Sequence, residues 1–167
     1  MDANDKFFDR LVRADELGVR LEIVGGLPIW EASPVLRHQK AVDRIRSSIT
    51  PIDEQKIGCG CHHYADVYVG FPDGSLMRPD IAIFCNEPEE EESAIRQIPE
   101  AVIEVISKGY EAKDLEIAPR VYLSQGVQDV VVLDPHTLVV LHITKTGATR
   151  HISPVALNLE CGCQCVV

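Results

Sequence analysis

The chain lacks any uninterrupted apolar run approaching the roughly 18 residues that a membrane-spanning helix requires. Its first residues, Met1-Asp2-Ala3-Asn4-Asp5-Lys6, lack both a basic flank and an apolar segment of export-signal length. These absences lead to the expectation of a soluble, cytoplasmic protein with no membrane partner. The chain is also short of positive charge: 16 Lys and Arg stand against 26 Asp and Glu, a formal charge of −10. That balance argues against nonspecific adhesion to nucleic acid. It leaves room for a local basic groove, because phosphate contacts are made by a few placed side chains. No domain-scale repeat interrupts the 167 residues, so one domain is expected over 1–155, followed by a cysteine-rich tail over 156–167. With 46% apolar residues the core does not depend on disulfide or metal staples.

Periodicity sets the order of elements. Phe8, Leu11, Val12 and Leu17 fit a short amphipathic helix closed by Gly18. Leu21–Val24 and Leu27–Trp30 flank Gly25-Gly26, a pair that supplies the positive φ angles of a tight hairpin, and Pro28 confines the second strand to an edge. Ser33-Pro34 opens a helix whose apolar stripe is Val35, Val42, Ile45 and Ile49, with His38 on that stripe. Arg37, Lys40, Arg44 and Arg46 surround it as a solvated face. Strands follow around residues 65–69 and 80–84. The acidic segment from Asn86 to Ser93 reads as a solvated loop. Ala101 to Ile106 is a nearly continuous apolar run, as expected of a strand buried on both faces. Glu111 to Gln125 reads as a helix that starts late or bends at Pro119, and β-branched strands at 129–133 and 138–144 complete the pattern. The predicted class is α/β (α+β), with a mixed sheet flanked by helices.

Two carboxylates stand where charge is costly. Asp80 opens a strand after Pro79, and Glu104 sits in the middle of the most apolar strand. A buried ionised carboxylate needs a partner, a metal or a shifted pKa. Neighbouring strands can bring the two to one sheet edge, where hard oxygen donors suit Mg²⁺ or Mn²⁺. The alternative is that each is structural, paired with an arginine or a backbone donor.

Arg78-Pro79-Asp80-Ile81-Ala82-Ile83, the run Ile98 to Ser107, Asp114-Leu115, Tyr122, Gly126-Val127 and Val132-Leu133-Asp134-Pro135 resemble the Uma-two family of restriction-endonuclease-like proteins, within the PD-(D/E)XK nuclease superfamily. Glu22, Gly26, Ser33-Pro34 and His38 fit its amino-terminal pattern more loosely. The resemblance covers about residues 20 to 143. It implies a restriction-endonuclease-like core and a metal-dependent endonuclease acting on DNA phosphodiesters, with Asp80 and Glu104 as metal ligands and His38 near a metal-bound water. By analogy it also allows a homodimer. The superfamily lysine two residues after the glutamate is here Ile106. The helical lysine that replaces it in this family falls four residues after Asp114, at Ala118. Lys113, Lys108 and Arg120 are the nearby cations. Lys113 is the best substitute by proximity, although on an ideal helix it projects about 100° from Asp114. The missing lysine raises a second reading, a catalytically degenerate nuclease fold kept as a binding or regulatory protein.

Five of the six cysteines fall in two clusters, Cys59-Gly60-Cys61-His62-His63 and Cys161-Gly162-Cys163-Gln164-Cys165. Thiolates and imidazoles suit Zn²⁺, and Cys59, Cys61, Cys161 and Cys163 could form a tetrahedral set if the tail folds back. The spacing is Cys-x-Cys and not the usual Cys-x-x-Cys. A reduced, loosely ordered tail and disulfides are the competing readings, the latter disfavoured in a cytoplasmic setting.

Overall fold

The computed structural model describes residues 3–31, 34–52, 58–90, 92–111 and 113–167. After α1 (Ala3–Glu16), Gly18 turns the chain with φ +78° into β1 (Arg20–Val24), which pairs with β2 (Leu27–Glu31) in a hairpin. Gly25 and Gly26 take φ +56° and +85°, the left-handed pair that the sequence requires. With β5 (Val69–Gly70) and β6 (Leu76–Met77) the hairpin forms a four-stranded sheet in the order β2-β1-β6-β5, so Pro28 does lie on an edge strand.

The helix α2 (Leu36–Ser48) buries His38, Ala41, Val42 and Ile45, an i, i+3, i+4, i+7 face. One expectation for it needs correcting. Val35 is the cap residue, in extended backbone, and is 66% exposed, because a residue before the first turn does not share the helical periodicity. The expected cap, Ser33, lies outside the described residues.

The larger sheet is six-stranded, in the order β11-β10-β9-β8-β7-β4. Its members are β4 (His62–Ala65), β7 (Ile81–Phe84), β8 (Ala101–Val105), β9 (Asp129–Leu133), β10 (Val139–Thr144) and β11 (Gly147–Ile152). Only the β8–β9 pair is parallel; the other pairings are antiparallel, which makes the sheet mixed. Every residue of β8 is buried, as its apolar run demands. The sheet is the middle layer of the molecule. On one face Ala101, Ile103 and Val105 pack with Ala41, Val42 and Ile45 of α2 and with Cys59, Cys61, Cys161, Cys163 and Cys165. On the other, Val102 and Ile106 pack with Val24, Val69, Ala118 and Tyr122.

Lys113–Ile117 form a π-helical turn that runs directly into α3 (Ala118–Ser124). Pro119 sits in the first turn of α3, where a missing N–H leaves no intrahelical bond unmade. The late start expected from Pro119 is therefore observed, with the preceding turn widened. Residues 156–167 are not a loose tail: β12 (Ala156–Asn158) and β13 (Cys163–Val166) form a three-stranded sheet with β3 (Thr50–Pro51). Alternation explains the docking, since Cys163, Cys165 and Val167 are buried while Gln164 and Val166 face outward.

Because Ile103 is fully buried between the layers, Ile103→Ala should cost about 2–5 kcal/mol in chemical denaturation. Leu27→Ala, at a side chain 64% exposed, should change stability by no more than about 0.5 kcal/mol.

Candidate active site

The register of β7 on β8 pairs Ile81 with Ile103, and one step back sets Asp80 opposite Glu104. The Asp80 amide donates to Glu104 Oε2 at 3.3 Å, and the Val105 amide donates to Asp80 Oδ2 at 2.7 Å. His38 reaches the same Asp80 oxygen from α2, with Nε2 at 3.1 Å. Tyr122 of α3, fully buried, donates its hydroxyl to Glu104 Oε1 at 2.7 Å. Asp80, Glu104 and His38, picked out in the sequence for separate reasons, thus meet in one pocket, which Glu31, Lys113 and Asp114 also line.

Lys113 is buried, and its Nζ lies 2.7 Å from Glu22 Oε2, 2.7 Å from Glu31 Oε1 and 3.4 Å from Asp114 Oδ1. The 100° separation expected between Lys113 and Asp114 assumed α-helical winding. The π-helical turn widens the spiral there, and both side chains enter the same pocket. Arg120 and Lys108 are exposed and stand away from the pocket lining. Ala118, at the expected lysine position, is fully buried beside Tyr122 in the packed core.

Sequence reasoning found Glu22 only loosely and missed Glu31 and Arg20. Glu22 carries a recognisable signal in retrospect: it shares the inward face of β1 with Val24, where a carboxylate is out of place. Its Oε1 accepts from the Arg78 amide. Glu31 ends an edge strand and becomes half-buried only because the hairpin folds over the π-helical turn.

Four carboxylates, Glu22, Glu31, Glu104 and Asp114, act on the ammonium of Lys113, and Asp80 and Arg20 line the same pocket. Burial pushes Glu104 well above the usual carboxylate range; Lys113 opposes this and Asp80 and Asp114 reinforce it. Burial, together with Glu22, raises Glu31 to about 7, and burial raises Asp114 to about 6. Burial disfavours the charged form of Lys113, but Glu22, Glu104 and Glu31 outweigh it and keep the ammonium protonated. Burial likewise opposes protonation of His38, and the hydrogen bond and charge of Asp80 overcome it. The pocket thus carries more negative charge than its own cations offset. All-oxygen donors with surplus negative charge fit a hard divalent cation, for which Asp80 and Glu104 would supply protein ligands and water the remainder, as is usual for Mg²⁺.

A mixed sheet flanked by helices, with an aspartate and a glutamate opposed at the ends of adjacent strands, is the restriction-endonuclease-like fold. The chain belongs to the Uma2 family, described as putative restriction endonuclease, whose model matches residues 5–159. Among solved structures it is similar to a putative nuclease belonging to DUF820 from Anabaena variabilis, with a TM-score of 0.64 at 19% identity over 84% of this chain and 82% of that one. No curated protein matches it. No helix among the described residues is long and apolar enough to cross a membrane.

The raised Glu31 fixes the sign of a pH effect. Its pKa in the fold, about 7, exceeds its ordinary value of 4.5, so its contribution to stability is fullest below about 4.5 and is lost as pH rises through about 7. Denaturation of wild type and Glu31→Gln across this range should show the variant gaining relative stability toward pH 8; a constant difference between the two would contradict the assignment.

Proposed function

We propose that this protein is a metal-dependent endonuclease that hydrolyses DNA phosphodiester bonds, with Asp80 and Glu104 as ligands of Mg²⁺ or Mn²⁺ and Lys113 as the cation at the scissile phosphate. The observation that supports it best is the convergence of an opposed Asp80–Glu104 pair and the Lys113 ammonium in one pocket. When bound, the metal would polarise the phosphoryl group and lower the pKa of a bound water.

The remaining work falls to the chain's own groups. The Val105 amide and His38 Nε2 hold Asp80 Oδ2 and fix the carboxylate at the pocket wall. Tyr122 fixes one oxygen of Glu104 and the Asp80 amide the other, so neither carboxylate has to reorganise when substrate arrives. Tyr122 stays a donor, because burial and the charge of Glu104 push its hydroxyl well above its ordinary range. Lys113 brings positive charge toward the phosphate from the turn preceding Ala118, in place of a lysine on α3 itself. To meet a phosphate oxygen it exchanges its contact with Glu31 at the pocket rim and keeps Glu22 beneath. His38 acts through Asp80 as a positioning residue.

One observation favours a second reading, a nuclease fold that binds without cutting. The Lys113 ammonium is only 7% exposed and already paired with two carboxylates at 2.7 Å. Plasmid and oligonucleotide cleavage with Mg²⁺ or Mn²⁺ separates the two. Asp80→Ala, Glu104→Ala and Lys113→Met should each lower the rate by about 100-fold or more, the scale of losing one preorganised electrostatic group. Rates unchanged in the two carboxylate variants would sink the metal-site assignment. DNA binding by a wild-type protein that never cleaves would establish the second reading.

A further inference from the structure

The cysteines lie outside the lining of the carboxylate pocket and take no part in the chemistry above, yet they are not scattered. Cys59-Gly60-Cys61 precedes β4 and Cys161-Gly162-Cys163 leads into β13, and the two identical tripeptides, about a hundred residues apart, fold against one another under the sheet. Cys59 is bonded to Cys85 and Cys61 to Cys163, while Cys161 and Cys165 are free and buried. The two bonds are not independent. Cys59 Sγ lies 3.5 Å from Cys163 Sγ and 3.9 Å from Cys61 Sγ, so sulfurs of one bridge touch both sulfurs of the other. The sulfurs of Cys59, Cys161 and Cys163 all lie within 4.8 Å of one another, and they are the only trio of potential metal ligands so close among the described residues. A disulfide explains one neighbour per sulfur; it does not explain several.

We propose that, with its cysteines reduced, the protein holds one Zn²⁺ through Cys59, Cys61, Cys161 and Cys163, a structural metal site separate from the carboxylate pocket. Zinc–sulfur bonds of about 2.3 Å in a tetrahedron set the sulfurs about 3.8 Å apart, the spacing that Cys59 already keeps to Cys163 and Cys61. All four residues are at most 8% exposed, which suits a closed site with no open coordination position. The backbone is shaped to converge the thiols: Cys61 takes φ +51° and Gly162 φ +99°, turning each tripeptide back on itself. At Gly60 a Cβ would come within 2.4 Å of His62 Nε2 and 3.1 Å of the Cys85 carbonyl, so a side chain there would force the loop apart.

The step from the bridged form balances as follows. A dithiol reductant delivers two electrons and two protons to each bridge, giving the thiols of Cys59, Cys85, Cys61 and Cys163, and is itself oxidised to a disulfide. Zn²⁺ then displaces four protons, one from each ligand, and leaves a tetrathiolate centre of net charge −2. Cys85 and Cys165 remain thiols. The metal would tie the segment before β4 to the turn before β13, joining the two halves of the chain where the Cys61–Cys163 bridge now does.

The full-length protein, reduced and kept under a non-chelating reductant, should retain one zinc per chain after loading with ZnCl₂ and desalting. Substituted with Co²⁺, it should show the intense thiolate-to-cobalt charge-transfer absorption and the visible bands of a tetrahedral four-sulfur site. Cys161→Ser and Cys61→Ser should weaken zinc binding by more than about 100-fold, beyond the loss of an outer-shell partner. Cys85→Ser, Cys165→Ser and Asp80→Asn should keep full stoichiometry. Failure of reduced wild type to retain zinc, a cobalt spectrum without thiolate charge transfer, or zinc lost in Cys85→Ser but kept in Cys61→Ser would each overturn the proposal. The cobalt spectrum is read on wild type, so it decides the matter even if the cysteine variants do not fold.

Discussion

A carboxylate near the end of a buried strand is the constraint from which the rest of the pocket follows. Glu104 is 2% exposed, on a strand where every other side chain is apolar. An unpaired ionised group there would cost several kcal/mol, so the structure around it is built of donors. The Asp80 amide comes from the neighbouring strand, the Tyr122 hydroxyl from α3 and the Lys113 ammonium from the π-helical turn. Lys113 in turn cannot be buried alone, which accounts for Glu22 and Glu31 on the hairpin. Each partner creates the need for the next, and the chain of compensation ends at the solvent-facing rim, at Arg20 and Asp66.

The same constraint explains why charge in this protein is so unevenly arranged. Of the 26 acidic residues, Glu87, Glu89, Glu90 and Glu92 stand exposed in the loop after Asn86, where water screens them, while Glu31, Asp80, Glu104 and Asp114 line one pocket and Glu22 is buried against its Lys113. The first group gives the molecule much of its acidity and the second its chemistry. The formal charge of −10 therefore describes the surface more than the site, and it is a poor guide to whether a phosphate can be bound.

Local features were legible in the sequence. The glycine pair set the hairpin, Pro119 set the start of α3, the apolar run set β8, and Asp80 and Glu104 betrayed themselves by contrast with their neighbours. What escaped depends on contacts between distant segments. Glu31 is unremarkable until the hairpin closes over residues more than eighty positions away. Lys113 was placed by an angle that holds for an α-helix and fails in a π-helical turn, a distinction no local pattern encodes. The convergence of the two Cys-Gly-Cys tripeptides required β13 to pair with β3, a register set by the tertiary fold and not by spacing.

The pocket draws on four separated stretches: the hairpin ending at Glu31, His38 on α2, the Asp80–Glu104 strand pair, and the segment from Lys113 to Tyr122. None of these stretches holds more than a fragment of the charge arrangement. A chain still emerging or only partly collapsed would present scattered, hydrated carboxylates with ordinary acidities, and the unusual ones come into being only when the last stretch docks. Folding and the assembly of this charge arrangement are thereby made a single event.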